Sequence, residues 1–149
     1  MQILWRVKTF KELDTLELYK ILQLRAEIFV VEQDSPYQDI DGKDFKAYHL
    51  MGFKGKDLVA YTRLLPTNVS YAEVSIGRVV TSGKVRGQGL GRELMDRSIA
   101  EIENFFGKTP IRIGAQLYLQ KFYEGFGFVR EGDEFLEDRI PHIIMLRGK

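Results

Sequence analysis

Three glycines in five residues, Gly87, Gly89 and Gly91, lie in the stretch VRGQGLGRELM, directly ahead of an amphipathic helical pattern. In a strand, loop, helix arrangement the unpaired backbone N–H groups of a helix start converge on one point, and the positive end of the helix dipole favours an anion there. Glycine lets the backbone approach such an anion closely and take positive φ, while Arg86 and Arg92 flank the turn with charge. The familiar phosphate-loop patterns fail on spacing: Gly91 is followed by Arg92 and Glu93 instead of Lys and a hydroxyl residue, and no choice among these glycines yields GxGxxG. A tight turn between strand and helix is the other reading of the same residues. For proton transfer the chain offers His49 in AYHLMG and His142 in IPHIIM. An imidazole with a reference pKa of about 6.5 is largely neutral at pH 7 and able to accept a proton. His49 alternates within a strand and reads as a satisfied, half-buried side chain; His142, at a strand start, is either a base or a backbone-bonded residue. Glu32 and Glu73 are further bases, acting through water. With no cysteine and no GxSxG segment, an acyl-enzyme route is not expected.

The elements that must position these residues alternate in type. Ile3 to Val7 reads as a short strand, followed by a helical pattern through Leu16, Tyr19, Leu22, Leu24, Ile28 and Phe29 that ends near Val31. Glu32 to Asp44 is an acidic loop that either lines a cleft and favours a cationic amine or is merely solvated. Tyr48 to Lys54 and Leu58 to Leu65 form a hairpin, and Val74 to Thr81 is a fourth strand. A helix from Gly89 to Phe106 follows, then a strand (Ile111 to Ala115), a short helix (Leu117 to Phe126), and strands near Phe128 to Arg130 and Ile143 to Arg147. The expected class is α/β of the α+β type, a mixed, mostly antiparallel sheet of six to seven strands with helices on both faces and an opening in the middle.

The 149 residues suit one domain, 1–149. Hydrophobic content of 44% and charged content of 29% are those of a soluble globular chain, and no apolar run is long enough for a membrane span. The opening MQILWRVKTF lacks the marks of an export signal, so a cytoplasmic location is expected. Twenty-two basic against 21 acidic side chains leave a net charge of +1, with no bulk field to gather nucleic acid or an acidic membrane; only the local cluster Lys84, Arg86, Arg92 argues otherwise.

The segment RGQGLG, Arg86 to Gly91, resembles the [QR]xxGx[GA] pattern with which the GNAT superfamily of N-acetyltransferases cradles the pyrophosphate of acetyl-coenzyme A. QKFYEGFGF, Gln120 to Phe128, is similar to that superfamily's second motif, at the expected separation. LRAEIFVVEQ, SPYQDIDGKD, YTRLLP, IGRVV and EDRIPHIIM extend the resemblance to the ElaA-like branch over nearly the whole chain. The first and third of these also resemble acyl-homoserine-lactone synthases, which share the fold.

The resemblance implies acetyl-CoA as acetyl donor, no metal, and a primary amine of a small molecule or peptide as acceptor, in a monomer or homodimer. It implies a bulge in the fourth strand that opens a gap for the pantetheine arm, bonded along Val79, Val80 and Thr81 as a peptide adds to a sheet edge. The pyrophosphate falls to Arg86, Gly87, Gln88, Gly89, Leu90, Gly91 and Arg92. Gln116 stands near the acyl end, where many members carry Asn. Tyr123 matches the tyrosine that protonates the departing sulfur, and His142 the histidine that faces the acetyl group. For the acceptor, Glu32, Arg25 and Arg78 are candidates; Arg25, Arg63 and Arg78 either bind an acceptor carboxylate or pair with the loop acids. A lactone synthase relative and a non-catalytic CoA-binding sensor are the alternatives.

Overall fold

The structure, a computed structural model, describes residues 2–148. Its elements run β1 (Leu4–Thr9), α1 (Thr15–Arg25), β2 (Tyr48–Lys54), β3 (Asp57–Leu65), β4 (Ser75–Thr81), α2 (Leu90–Phe106), β5 (Ile111–Gln116), α3 (Gln120–Glu124), β6 (Phe128–Glu137) and β7 (Ile140–Arg147). A capping box starts α1: the Asp14 carboxylate accepts from Glu17 N at 2.7 Å, and Glu17 accepts from Asp14 N at 3.0 Å. The helix then widens into a π-helical turn, Ala26–Glu32, which carries the chain on toward the cleft described below. At the start of α2 no side chain caps the helix; Gly89 stands there in the left-handed region, φ 76°.

The strands form two sheets, β1-β2-β3-β4 and β5-β7-β6, with every pairing inside them antiparallel. The expected single central sheet is thus divided. Its halves meet at one parallel bridge, Val74 to Ile111, where Arg112 N donates to Val74 O at 3.0 Å. Side-chain alternation buries both faces of the first sheet. Met51, Phe53 and Tyr61 pack on Ile21 and Leu24 of α1, and Leu50 and Ala60 pack on Leu90 and Leu94 of α2. Farther along α2, Met95, Ile99 and Ile102 contact Leu64 and Ile76 of the first sheet as well as Ile111, Ile113, Ile143 and Met145 of the second. One helix therefore holds the two halves together by apolar burial while their strands diverge.

The last hairpin is longer than its apolar residues predict. β6 continues through EGDEFLE to Glu137, and Asp138 and Arg139, both at positive φ (50° and 66°), make the turn to β7. Its outer half is charged because β6 is the exposed edge of its sheet, where charge discourages further strand pairing. No Gly or Asn marks this turn.

Three arginines from three elements anchor residues 33–47. Arg25 of α1, with 0% exposure, binds Asp39 (Nε to Oδ2, 2.9 Å) and Asp44 (Nη1 to Oδ1, 2.8 Å). Arg63 of β3 binds Asp41 at 2.8 Å and shares Asp44 at 3.1 Å. Arg78 of β4 lies 2.7 Å from Asp39. One expectation is corrected here: Arg25 is not an acceptor ligand, since each nitrogen of its fully buried guanidinium is bonded within the network. The acidic loop divides: Asp39, Asp41 and Asp44 compensate arginines, Asp34 is exposed, and Glu32 lines the cleft. Burial alone would raise the Asp41 carboxyl, but the Arg63 bonds and nearby positive charge win and lower it to about 2 from an ordinary 3.8. A depressed folded-state value contributes stability that is complete above 3.8 and fades as pH falls toward about 2. Removing one carboxylate leaves guanidinium charge buried without its partner, so Asp44→Ala is expected to cost about 3–5 kcal/mol by urea denaturation at neutral pH. The gap to wild type should narrow as the pH is lowered through the carboxylate range; a gap below about 1 kcal/mol at neutral pH would show that the network is dispensable.

Candidate functional site

The register between β3 and β4 slips by one residue: Tyr61 faces Val80, but Arg63 faces Gly77. The extra residue on β4 is a bulge, and within it Arg78 adopts φ 51°. A non-glycine residue in that region carries strain of about 1–3 kcal/mol, which persists where the surroundings over-determine it. Here Asp39, Asp41 and the face of Tyr37, 5.6 Å away, do so. Past Val74 the bent strand departs from β5. The gap is a cleft of about 540 Å³ with Val79, Val80 and Thr81 on one wall and Ile113, Gly114 and Gln116 on the other. The outer edge of β4 has no partner strand there among the described residues.

The glycine loop adjoins the cleft through Arg86. Gly87 (φ 79°) and Gly89 (φ 76°) are in the left-handed region, and a Cβ on either would meet nothing within 4 Å. Their glycine identity thus answers to backbone conformation and to open space above the loop, not to crowding from inside. The first amides of α2 are uncapped and point out of the helix start. Arg86 lines the cleft and makes a two-pronged ion pair with Glu32, which lowers the Glu32 carboxyl and raises the Arg86 guanidinium. The remaining loop residues divide: Gln88 is exposed, the Leu90 side chain is core, and Arg92 stacks over Phe126 at 5.8 Å outside the cleft wall. For Leu90 only the backbone N–H is available to a ligand.

Tyr123 and His142 line the same cleft. Tyr123 on α3 is 6% exposed, packed edge-on against Phe122 and Phe128, and lines the cleft. Burial, helped by Tyr118, pushes its phenol up, so the hydroxyl stays protonated at neutral pH and can donate a hydrogen bond. His142 opens into the same cleft with 8% exposure. Its Nδ1 lies 2.7 Å from Ile140 O. A carbonyl only accepts, so Nδ1 carries the proton and Nε2 presents a lone pair. Nε2 lies 3.5 Å from the Glu137 carboxylate. The antiparallel register sets His142 opposite Gln116, whose amide donates across the gap to Gln33 at 3.3 Å.

Two other bases fall away. Glu73 is clamped by Arg112 at 2.8 and 3.0 Å and is not in the cleft wall. His49 is fully buried between the Tyr61 hydroxyl (2.6 Å) and Asp44 O (2.9 Å), and burial lowers its pKa, as befits a structural histidine. The structure adds Gln33, Tyr37, Tyr118, Glu137 and Asp138 to the lining. Of these, Glu137 had a signal in the sequence: it precedes His142 by five residues, and a tight two-residue turn folds such a pair onto one face of a hairpin.

Comparison with known proteins fits this geometry. A family profile described as "Acetyltransferase (GNAT) domain" matches residues 18–147. Protein ElaA of Escherichia coli (strain K12) is 42% identical over 145 residues, covering 96% of this chain and 95% of that protein. The crystal structure of an acyl-CoA N-acyltransferase from Pseudomonas aeruginosa superposes with a TM-score of 0.95 at 45% identity, covering 99% of this chain and 100% of the other. The AHL synthase LasI, at 17% identity and a TM-score of 0.78 over 97% of this chain and 89% of its own, shares the fold alone.

The His142 tautomer is open to direct test. Nitrogen-15 NMR at about pH 8.5, well above the reference imidazole value of about 6.5, should show a protonated Nδ1 and a bare Nε2. An Nε2–H signal there would mean that the lone pair does not face the cleft.

Proposed function

The chain belongs to the acetyltransferase (GNAT) family, and from that premise we propose that it moves the acetyl group of acetyl-CoA to a primary amine of a small molecule or peptide, by direct attack in a ternary complex. The observation that carries this reading is the cleft between β4 and β5, lined by a buried hydroxyl donor and an imidazole acceptor and adjoined, through Arg86, by the uncapped start of α2. The donor set fits coenzyme A. An open glycine cradle and the amides of Gly89, Leu90, Gly91 and Arg92 suit a diphosphate, with Gly87, Gln88 and Arg86 beside them. The free backbone edge at Val79, Val80 and Thr81 suits an extended, amide-bearing arm.

When bound, acetyl-CoA supplies a thioester carbonyl as the electrophile. The protein's tasks are proton transfers and placement. Nε2 of His142 accepts the proton that the amine must lose, and its Nδ1–H bond to Ile140 O fixes the ring for that role. As the amine nitrogen bonds to the carbonyl carbon and the carbon–sulfur bond breaks, the Tyr123 hydroxyl, protonated at neutral pH, gives its proton to sulfur. Gln116, bonded to Gln33, closes the cleft at the acyl end. No cysteine exists to hold the acyl group on the enzyme.

Titration calorimetry with acetyl-CoA should give saturable binding that Gly89→Glu abolishes, through strain at φ 76° and like-charge repulsion at the helix start. Tyr123→Phe should keep donor affinity within about twofold while lowering kcat about 10²-fold or more in a thiol-release assay with an amine acceptor. A wild-type rate in that variant would remove the acid from Tyr123. Donor binding without thiol release, over a broad amine panel, would mark a CoA-binding sensor instead.

A further inference from the structure

Five charged residues line the cleft: Glu32, Arg78, Arg86, Glu137 and Asp138. Both cations are already compensated. Arg78 is held by Asp39 at 2.7 Å and Asp41 at 3.3 Å, and Arg86 is paired with Glu32. On the acetyl-transfer reading the donor's diphosphate competes for Arg86, which would leave Glu32 as one more carboxylate without a cation. Glu137 and Asp138 have no Lys or Arg partner among the described residues. The electrostatic remainder on the acceptor side is negative with or without the donor.

A second observation says where that charge acts. His142 is more than nine-tenths buried, yet its Nε2 has no hydrogen bond among the described residues and faces the Glu137 carboxylate at 3.5 Å. A single ammonium nitrogen is small enough to donate to both atoms at once. We propose that the acceptor is an amine bearing a second positive charge, with Glu137 drawing its reacting ammonium onto Nε2 of His142 and Asp138 selecting for the distal charge; this rests on the acetyl-transfer reading. The distal cation meets Asp138, whose backbone is pinned at φ 50° and accepts a bond from Ser35 Oγ at 3.3 Å. The protons balance. An ammonium loses two on becoming an amide: the first passes from nitrogen to Nε2 and on to water, with Glu137 facing the transient imidazolium. The second, lost as the amide forms, replaces through cleft water the proton that Tyr123 gives to sulfur.

The Glu137 side chain is 61% exposed, so its influence is that of a solvent-screened ion pair, about three- to fivefold in affinity. The test uses three amines of equal length as probes: 1,5-diaminopentane, n-pentylamine and 5-aminopentanoate. Each is titrated calorimetrically into CoA-saturated protein, and each is offered with acetyl-CoA while acetylated product is followed by mass spectrometry. With exposed Asp138 acting on the distal cation, the diamine should bind about three- to fivefold tighter than pentylamine, and aminopentanoate most weakly. Asp138→Asn should bring the diamine close to pentylamine without changing acetyl-CoA affinity, Asp138→Glu should restore most of the difference, and Glu137→Gln should weaken both amines alike. Equal affinities for the diamine and pentylamine would overturn the proposal. So would tightest binding of 5-aminopentanoate, which would make Arg78 a carboxylate anchor. Preferential diamine binding with no acetylated product from any probe would uphold the charge selection and count against acetyl transfer.

Discussion

The extra residue at Arg78 keeps β4 from pairing with β5 beyond Val74, and the cleft, its two ends and its charges all follow from that separation. An opening through the middle of a sheet removes ladder hydrogen bonds and exposes apolar surface, so something else must hold the halves together. Apolar side chains of α2 straddle the seam and do so; within the first half, the guanidinium of Arg78 is locked to residues 33–47 by aspartates that Arg25 and Arg63 also grip. The strain of a left-handed arginine in the bulge is therefore sustained by a network reaching into α1 and β3.

That arrangement separates two kinds of electrostatics along one groove. The glycine-loop end offers backbone amides and a helix dipole, which favour anionic charge without committing a buried side chain. The surroundings of Tyr123 and His142 offer a buried hydroxyl, an imidazole lone pair and uncompensated carboxylates, which favour a cation and a proton in transit. Glu32 and Arg86, both in the cleft wall, are paired, so an anion that draws off Arg86 frees the Glu32 carboxylate.

Much of this was legible in the residues. Glycines spaced as Gly87, Gly89 and Gly91 ahead of an apolar stripe announce a loop and a helix start, and Gly89 does cap α2. The hairpin of β2 and β3 followed from two apolar runs around a glycine turn. What escaped was set by tertiary placement. β6 was read as three residues because its outer half is an exposed, charged edge, and its turn uses Asp138 and Arg139 where composition would ask for Gly or Asn. Arg25 and the loop aspartates look like surface charge in one dimension, since their mutual compensation exists only once α1, β3 and β4 meet the loop. Glu137 was passed over for the same reason, its nearness to His142 being a property of the hairpin register.

The central claim is that the gap between β4 and β5 is the donor slot, with the glycine loop as its anionic end. Hydrogen–deuterium exchange of the protein with and without saturating acetyl-CoA tests it most directly. The account predicts slowed exchange at the amides of Val79, Val80 and Thr81, and at those of Gly89, Leu90, Gly91 and Arg92, with little change in β1 or β6. Unaltered exchange in both segments despite measurable binding, or protection confined to another face of the molecule, would contradict it.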